Sequence, residues 1–434
     1  MTGVNEKNDK HLKREIGLFA AGFLVLNGLI GAGIFGLPGV LSQQAGMFSP
    51  WLFLIFGALI IPIVLTFAAL ASFFQSTGGP ILYASTAFGP LVGFQTGWLL
   101  YVGRVASFAG NINLMFDYIS YIWNGASEPF IRAILILLVT GGLALINIIG
   151  IKRAIQAINL FTFLKIIPLI LMLLLGLQYV SPEGLLPSDL PKFDDLGSSV
   201  LLIMFAFVGF EAALVTAGET KNPRTTLPRA LVSMVLIITV FYFAIQLIYV
   251  SVNPSGSENA PLIELGKSLM GPIGGTVLIL TAVFSICGNI TGVMISGPRM
   301  TYAMAEENSL PPWFSNIHEK YKTPVNSIIF KAVFVYLLAV SGTFVYLAIA
   351  SALTRMLAYI ICIASLPVIK KKVDQETRDQ ATKLPGGYFI PIIGMLVCLG
   401  AISQASLNSW LYMIGFITLG SLLFGINKIL IQKK

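Results

Sequence analysis

Asn27-Gly28-Leu29-Ile30-Gly31-Ala32-Gly33-Ile34-Phe35-Gly36 lies in the middle of an apolar segment running from Gly17 to Leu41. Glycine in a helix interior costs about 0.5–1 kcal/mol relative to alanine, and this stretch holds four. In lipid, backbone that leaves a helix must line a cavity or be buried in protein. The stretch therefore reads as a helix broken halfway across a membrane, with bare N–H and C=O groups turned towards a site. N–H groups opening the second half favour an anion, and C=O groups ending the first half favour a cation. A zwitterionic amino acid carries both charges. The competing reading is a packing face, because small residues at four-residue spacing let helices approach closely.

Composition sets the frame around this stretch. The 434 residues are 56% hydrophobic and 11% charged, with a mean hydropathy of +0.85. A soluble domain carries about 25% charge, so the chain reads as an all-α integral membrane protein whose surroundings are the lipid bilayer. Its net charge of +8 would suggest nucleic acid in a soluble chain. Here the cations are assigned to cytoplasmic loops, and no nucleic-acid partner is expected. Cys287, Cys362 and Cys398 fall in apolar segments, which predicts free thiols and no disulfide framework. The N-terminus is polar and the first apolar run is longer than a signal-peptide core, so no cleaved signal is expected.

A span takes about 20 apolar residues. Twelve segments fit, at 17–41, 48–74, 87–123, 130–149, 154–178, 196–219, 228–251, 271–305, 325–341, 344–369, 386–406 and 409–430. With both termini inside, the cationic segments all become cytoplasmic: Lys7, Lys10, Lys13 and Arg14; Lys152 and Arg153; Lys221, Arg224 and Arg229; Lys320 and Lys322; Lys370, Lys371, Lys372, Arg378 and Lys383; Lys428, Lys433 and Lys434. The opposite 179–195 loop holds Glu183, Asp189, Asp194 and Asp195 against Lys192 alone. This pattern meets the positive-inside rule and predicts a multi-pass plasma-membrane protein. A short external helix is expected after Pro261, placed to act as a lid.

The sixth span carries a second interruption, Phe205-Ala206-Phe207-Val208-Gly209-Phe210-Glu211. Interrupted helices at corresponding positions of two halves point to a transporter's binding site. Spans one and six each open a set of five, and five is odd, so the halves have opposite topology. The division that follows is a cytoplasmic tail 1–16 and an inverted-repeat core 17–369, with repeat one at about 17–178 and repeat two at about 196–369. A cytoplasmic loop 370–385 and a final segment 386–434 with helices eleven and twelve complete it.

Ile30-Gly31-Ala32-Gly33-Ile34-Phe35 resembles the first-helix signature of the amino acid–polyamine–organocation permeases. Gly209-Phe210-Glu211, with Gly218-Glu219-Thr220-Lys221-Asn222-Pro223 and Leu227-Pro228-Arg229-Ala230, resembles their sixth helix and following loop. Arg299-Met300-Thr301-Tyr302-Ala303-Met304-Ala305 and Leu310-Pro311-Pro312-Trp313-Phe314 resemble their eighth helix and its exit. The resemblance implies a leucine-transporter-type 5+5 inverted repeat with helices 1 and 6 broken, alternating access, and an amino acid held between them. It implies that N–H groups of Gly31, Ala32 and Gly33 meet the substrate carboxylate. Carbonyls near Leu29, Phe205 and Val208 would meet the amine, with Ile30 and Phe207 completing the set. Phe205 matches an aromatic gate, or else is an ordinary core ring. Ser107 and Asn111 match side-chain pocket positions, or else bond helix to helix.

Arg104, Lys165, Glu211 and Arg355 sit near the centres of spans three, five, six and ten, and ionisable groups there are functional candidates. Arginine keeps its charge, so Arg104 and Arg355 must find carbonyls, Glu211 or Asp117. A desolvated lysine sheds its proton more readily, which makes Lys165, set among other cations, the natural proton-coupling group. The alternative is a fixed ion pair locking helices. By resemblance, Lys165 matches a lysine that stands where sodium-coupled relatives of the fold hold their ion, so no sodium is expected. Glu211 matches a carboxylate that responds to protons in some exchangers.

Two histidines, His11 and His318, lie in polar segments, and no nucleophile–base set, metal-ligand cluster or Walker loop is present. The expectation is therefore not an enzyme, with no cofactor and no metal, but a secondary amino acid transporter, either proton-coupled or an exchanger. Surplus cations favour neutral amino acids. A cationic amino acid or polyamine exchanger, or a non-transporting sensor on the same fold, is the alternative.

Overall fold

The glycine-rich stretch breaks its helix. In a computed structural model describing residues 14–74, 78–149, 152–180, 196–197, 199–254, 260–384 and 386–432, α1 (Leu18–Leu29) stops and α2 (Gly33–Ala45) begins after three non-helical residues. Next come α3 (Ser49–Phe73), α4 (Pro80–Phe88), α5 (Pro90–Ser120), α6 (Pro129–Ile149) and α7 (Lys152–Gly176). The second break separates α8 (Ser199–Phe207) from a 3₁₀ segment, Phe210–Glu219. Then follow α9 (Pro223–Val252), α10 (Pro261–Glu306), α11 (Val325–Ser341), α12 (Phe344–Lys372), the short α13 (Gln375–Gln380), α14 (Phe389–Ser403) and α15 (Leu407–Gln432).

Local chemistry explains several boundaries. Proline opens α4, α5, α6, α9 and α10, where its missing N–H costs nothing and its fixed φ already suits a helix. Asn222 takes a left-handed conformation (φ 46°) immediately before Pro223, which turns the chain sharply from the 3₁₀ segment into α9. The expected third span, 87–123, is shorter: Gly89 (φ 93°) cuts it and sets α4 apart as a separate helix. The helix expected after Pro261 forms, and Gly271 (φ 68°) bends it away from the long remainder of α10.

Among the described residues, eight stretches are long and apolar enough to cross a membrane, and three shorter apolar helices, α1, α11 and α14, join them. Leucine, isoleucine and phenylalanine side chains lie exposed along α6, α7, α14 and α15, the outward face a bilayer solvates. The chain is an integral membrane protein. Inside, α3 packs on α9, α5 on α12 and α7 on α10. Among the described residues the only β contact is a parallel bridge between Ile16 and Thr220. Glu15 and Ile16 N–H groups both donate to Glu219 O at 3.0 Å, and Lys221 N–H donates to Ile16 O at 2.9 Å. The start of α1 is thereby tied to the end of the 3₁₀ segment. Lys7, Lys10, Lys13, His11, the acidic 179–195 loop from Glu183 to Asp195, Lys433 and Lys434 lie outside the described residues.

Candidate functional site

The two breaks touch. A Cβ placed on Gly28 would lie 2.6 Å from Gly209 O, and one on Gly209 would lie 2.5 Å from Gly28 O. Gly209 also has φ +111°, a conformation side chains resist. The close-packing reading of the glycines therefore applies at Gly28, while the helix itself is interrupted between Leu29 and Gly33. Gly28 packs against another backbone, whereas a Cβ on Gly31 would meet the side-chain amides of Asn111 and Asn289 at 3.3 Å. A Cβ on Gly33 would meet Ala206 at an ordinary 3.4 Å.

Beside this contact is a cavity of about 40 Å³. Its wall takes Leu29, Gly31, Ala32 and Gly33 from the first break and Phe205, Val208 and Gly209 from the second. Arg104, Ser107 and Asn111 from α5, Asn289 from α10, Glu211 and Arg355 complete the polar wall. Spacing explains the α5 contribution, since 104, 107 and 111 recur on one helical face. Of the predicted residues, Ile30 and Phe207 do not line this cavity. Ile30 O points to Lys165, and the Phe207 ring packs near Phe53 and Tyr242.

Helix termini give the cavity its polarity. The first N–H groups of a helix have no partner within it, and none is present for Ala32, Gly33 or Ile34 among the described residues. Gly31 N–H, by contrast, turns to Leu29 O at 3.0 Å. The carbonyls ending α1 are shared out: Leu29 O accepts from Tyr242 (2.8 Å), Asn27 O from Asn289 (3.0 Å), and Gly31 O from Ser285 (3.3 Å). Asn289 also accepts from Asn111 at 2.8 Å, leaving Asn111 Oδ1 without a partner among the described residues.

Lys165 is buried behind the wall. Its ammonium donates to Asn27 Oδ1 at 2.6 Å and to Ile30 O at 2.8 Å. Its recorded partners are thus neutral oxygens of the first break, in place of the cationic neighbourhood the sequence suggested. Glu211 is saturated: Oε1 accepts from Arg355 Nε (3.1 Å), and Oε2 from Tyr359 (2.7 Å) and the Gly209 N–H (2.9 Å). The pair is buried on both sides. Asp117, the other carboxylate offered to the central arginines, pairs instead with Arg132 at 2.7 Å. Sequence reasoning passed over Arg132, which lies at the start of the expected span 130–149. It also passed over Lys331, fully buried in α11 and donating to Val293 O. The signal was there, because Lys331 is the one charge within an otherwise apolar α11.

Phe205 packs edge-on to Phe344, with ring centroids 6.0 Å apart. Phe205 lines the small cavity, and Phe344 lines a second one of about 530 Å³. This larger cavity runs among Gly36, Asn113, Asp117, Arg132, Val340 and Thr343, so the ring pair stands between the two spaces.

Comparison with known proteins bears on this arrangement. The sequence model of the family described as amino acid permease matches residues 16–424. The serine/threonine exchanger SteT of Bacillus subtilis (strain 168) is 29% identical, over 89% of this chain and 90% of its own length. The branched-chain amino acid permease BcaP of the same organism is 26% identical, over 90% and 88%. Its gamma-aminobutyric acid permease is also 26% identical, over 94% and 92%.

Proposed function

The chain belongs to the amino acid permease family, and from that premise we propose that it is a sodium-independent secondary transporter moving amino acids across the plasma membrane by alternating access. One observation carries the proposal. Unpartnered N–H groups open α2 beside a cavity that also meets the carbonyl end of α8, so one small zwitterion satisfies both. In this reading Ala32 and Gly33 receive the carboxylate, and Phe205 and Val208 carbonyls the amine. Ser107 and Asn111 face the substrate side chain, and Phe205 closes over it.

A twelve-span inverted repeat is the architecture we assign. Under the exchange of spans one to five with six to ten, the α5–α12 contact maps onto α10–α7, and α3–α9 maps onto itself. All three are major packing contacts of the molecule. The distribution of cations among the loops supports a cytoplasmic side for both termini.

For coupling we assign Lys165 the leading role and Glu211 the rival one. The Lys165 ammonium holds two oxygens of the first break, as a bound cation would. Glu211 has every oxygen occupied, and removing one partner of such a buried pair costs about 3–5 kcal/mol, which suits a fixed strut. A polyamine or cationic substrate is disfavoured by Arg104 and Arg355 in the wall. The test is uptake of labelled amino acids into proteoliposomes, with sodium present or absent and with imposed pH gradients. Uptake driven without sodium is the expected result. An absolute sodium requirement overturns the Lys165 assignment, and binding with no uptake points to a sensor.

A further inference from the structure

Arg104 is 4% exposed and lines the small cavity. Its Nη1 donates to Ser296 Oγ at 3.2 Å, while its buried Nε has no partner among the described residues. Glu211, the carboxylate of the wall, accepts from Arg355, Tyr359 and the Gly209 N–H and makes no hydrogen bond to Arg104. The wall thus holds two guanidinium groups, both buried, against one carboxylate, an excess of one positive charge. Burying a charge without a counter-charge is unfavourable, so the site is electrostatically incomplete as it stands. A neutral zwitterion leaves the imbalance unchanged, because its carboxylate is drawn to the N–H groups of α2 and its net charge is zero. A cationic substrate worsens it. A substrate with a second carboxylate removes it. A planar guanidinium fits a carboxylate better than any other side chain does.

We infer that the substrate is an acidic amino acid, aspartate or glutamate, whose side-chain carboxylate is received by Arg104. The inference rests on the transporter reading above and replaces the neutral substrate that the sequence favoured with an acidic one. Removing one partner of a desolvated charge pair weakens binding by about 30-fold or more.

The test uses the purified full-length protein in proteoliposomes. Labelled aspartate, glutamate, serine and valine are offered to wild type, Arg104→Gln and Arg104→Lys, with chloride present or replaced by gluconate. Folding of each variant is checked by thermal shift and size-exclusion chromatography. Wild type is expected to take up an acidic amino acid, with neutral ones competing poorly. Arg104→Gln is expected to raise the KM for the acidic substrate about 30-fold or more while the KM for serine changes little or falls. Arg104→Lys is expected to rescue partly. If wild type moves serine or valine and acidic amino acids neither move nor compete, the transporter reading stands and the acidic assignment is overturned. If that neutral uptake also requires chloride, the counter-charge is an inorganic anion. If no amino acid moves or binds, the transporter reading falls and the inference falls with it.

Discussion

At the scale of single residues, the glycines of the first break divide by what surrounds them. Gly28→Ala and Gly209→Ala each push a methyl group into the facing carbonyl, and Gly209→Ala also strains a backbone at φ +111°. Overpacking of this kind costs about 1–3 kcal/mol, so both variants are expected to melt several degrees lower and to lose uptake. Gly33→Ala meets Ala206 at an ordinary contact distance and is expected to keep its fold and measurable transport. Thermal shift and initial uptake rates on the three variants check this ordering, and equal behaviour would show that the contact between the breaks is incidental. The break itself was legible, because glycine is expensive in a helix and this stretch has several. The partner of Gly28 was not, because nothing in a linear sequence says which of 42 glycines lies across from it. The saturation of Glu211 was half legible: need for a partner follows from burial, but its identity follows from inter-helix register.

At the scale of elements, α7 is joined to the first break through the Lys165 ammonium. Protonated, Lys165 donates to Asn27 and Ile30 and holds the unwound segment. In the proposed coupling, deprotonation removes the charge that makes those bonds strong and releases the segment. Lys165→Met fills a similar volume without the charge. It is expected to fold, to transport, and to lose the pH dependence of uptake that the Lys165 assignment expects of wild type. Glu211→Gln is expected to leave that pH dependence in place while lowering stability. Uptake measured from pH 5.5 to 8.5 for the three proteins decides between them, and the reverse pattern would make the carboxylate the switch. Most elements were legible from apolar length. The separation of α4 from α5 was not, since Gly89 sits within a run whose hydropathy continues past it.

At the scale of the whole molecule, one end of the site is shut and the other is roomy. The bridge from Ile16 to Thr220 ties α1 to the far end of the second broken helix. The 530 Å³ space opens beyond Phe344. The alternating access proposed above requires the bridge to part. Ile16→Cys with Thr220→Cys puts two thiols on adjacent extended segments, about 4.8 Å apart and within disulfide range. Oxidation is expected to stop uptake and reduction to restore it, with substrate binding retained throughout. The native Cys287, Cys362 and Cys398 carry no disulfide, so they form no competing bridge. Continued uptake by the oxidised protein would place the moving parts elsewhere. The bridge also has a price in time. It consists of three main-chain hydrogen bonds, each worth about 0.5–1.5 kcal/mol net. A latch of a few kcal/mol springs open unaided in roughly one visit out of ten to a thousand. An empty carrier held so lightly returns without cargo, and loaded vesicles diluted into substrate-free buffer are expected to drain. If they drain only when substrate waits outside, something stronger than this latch forbids the idle stroke.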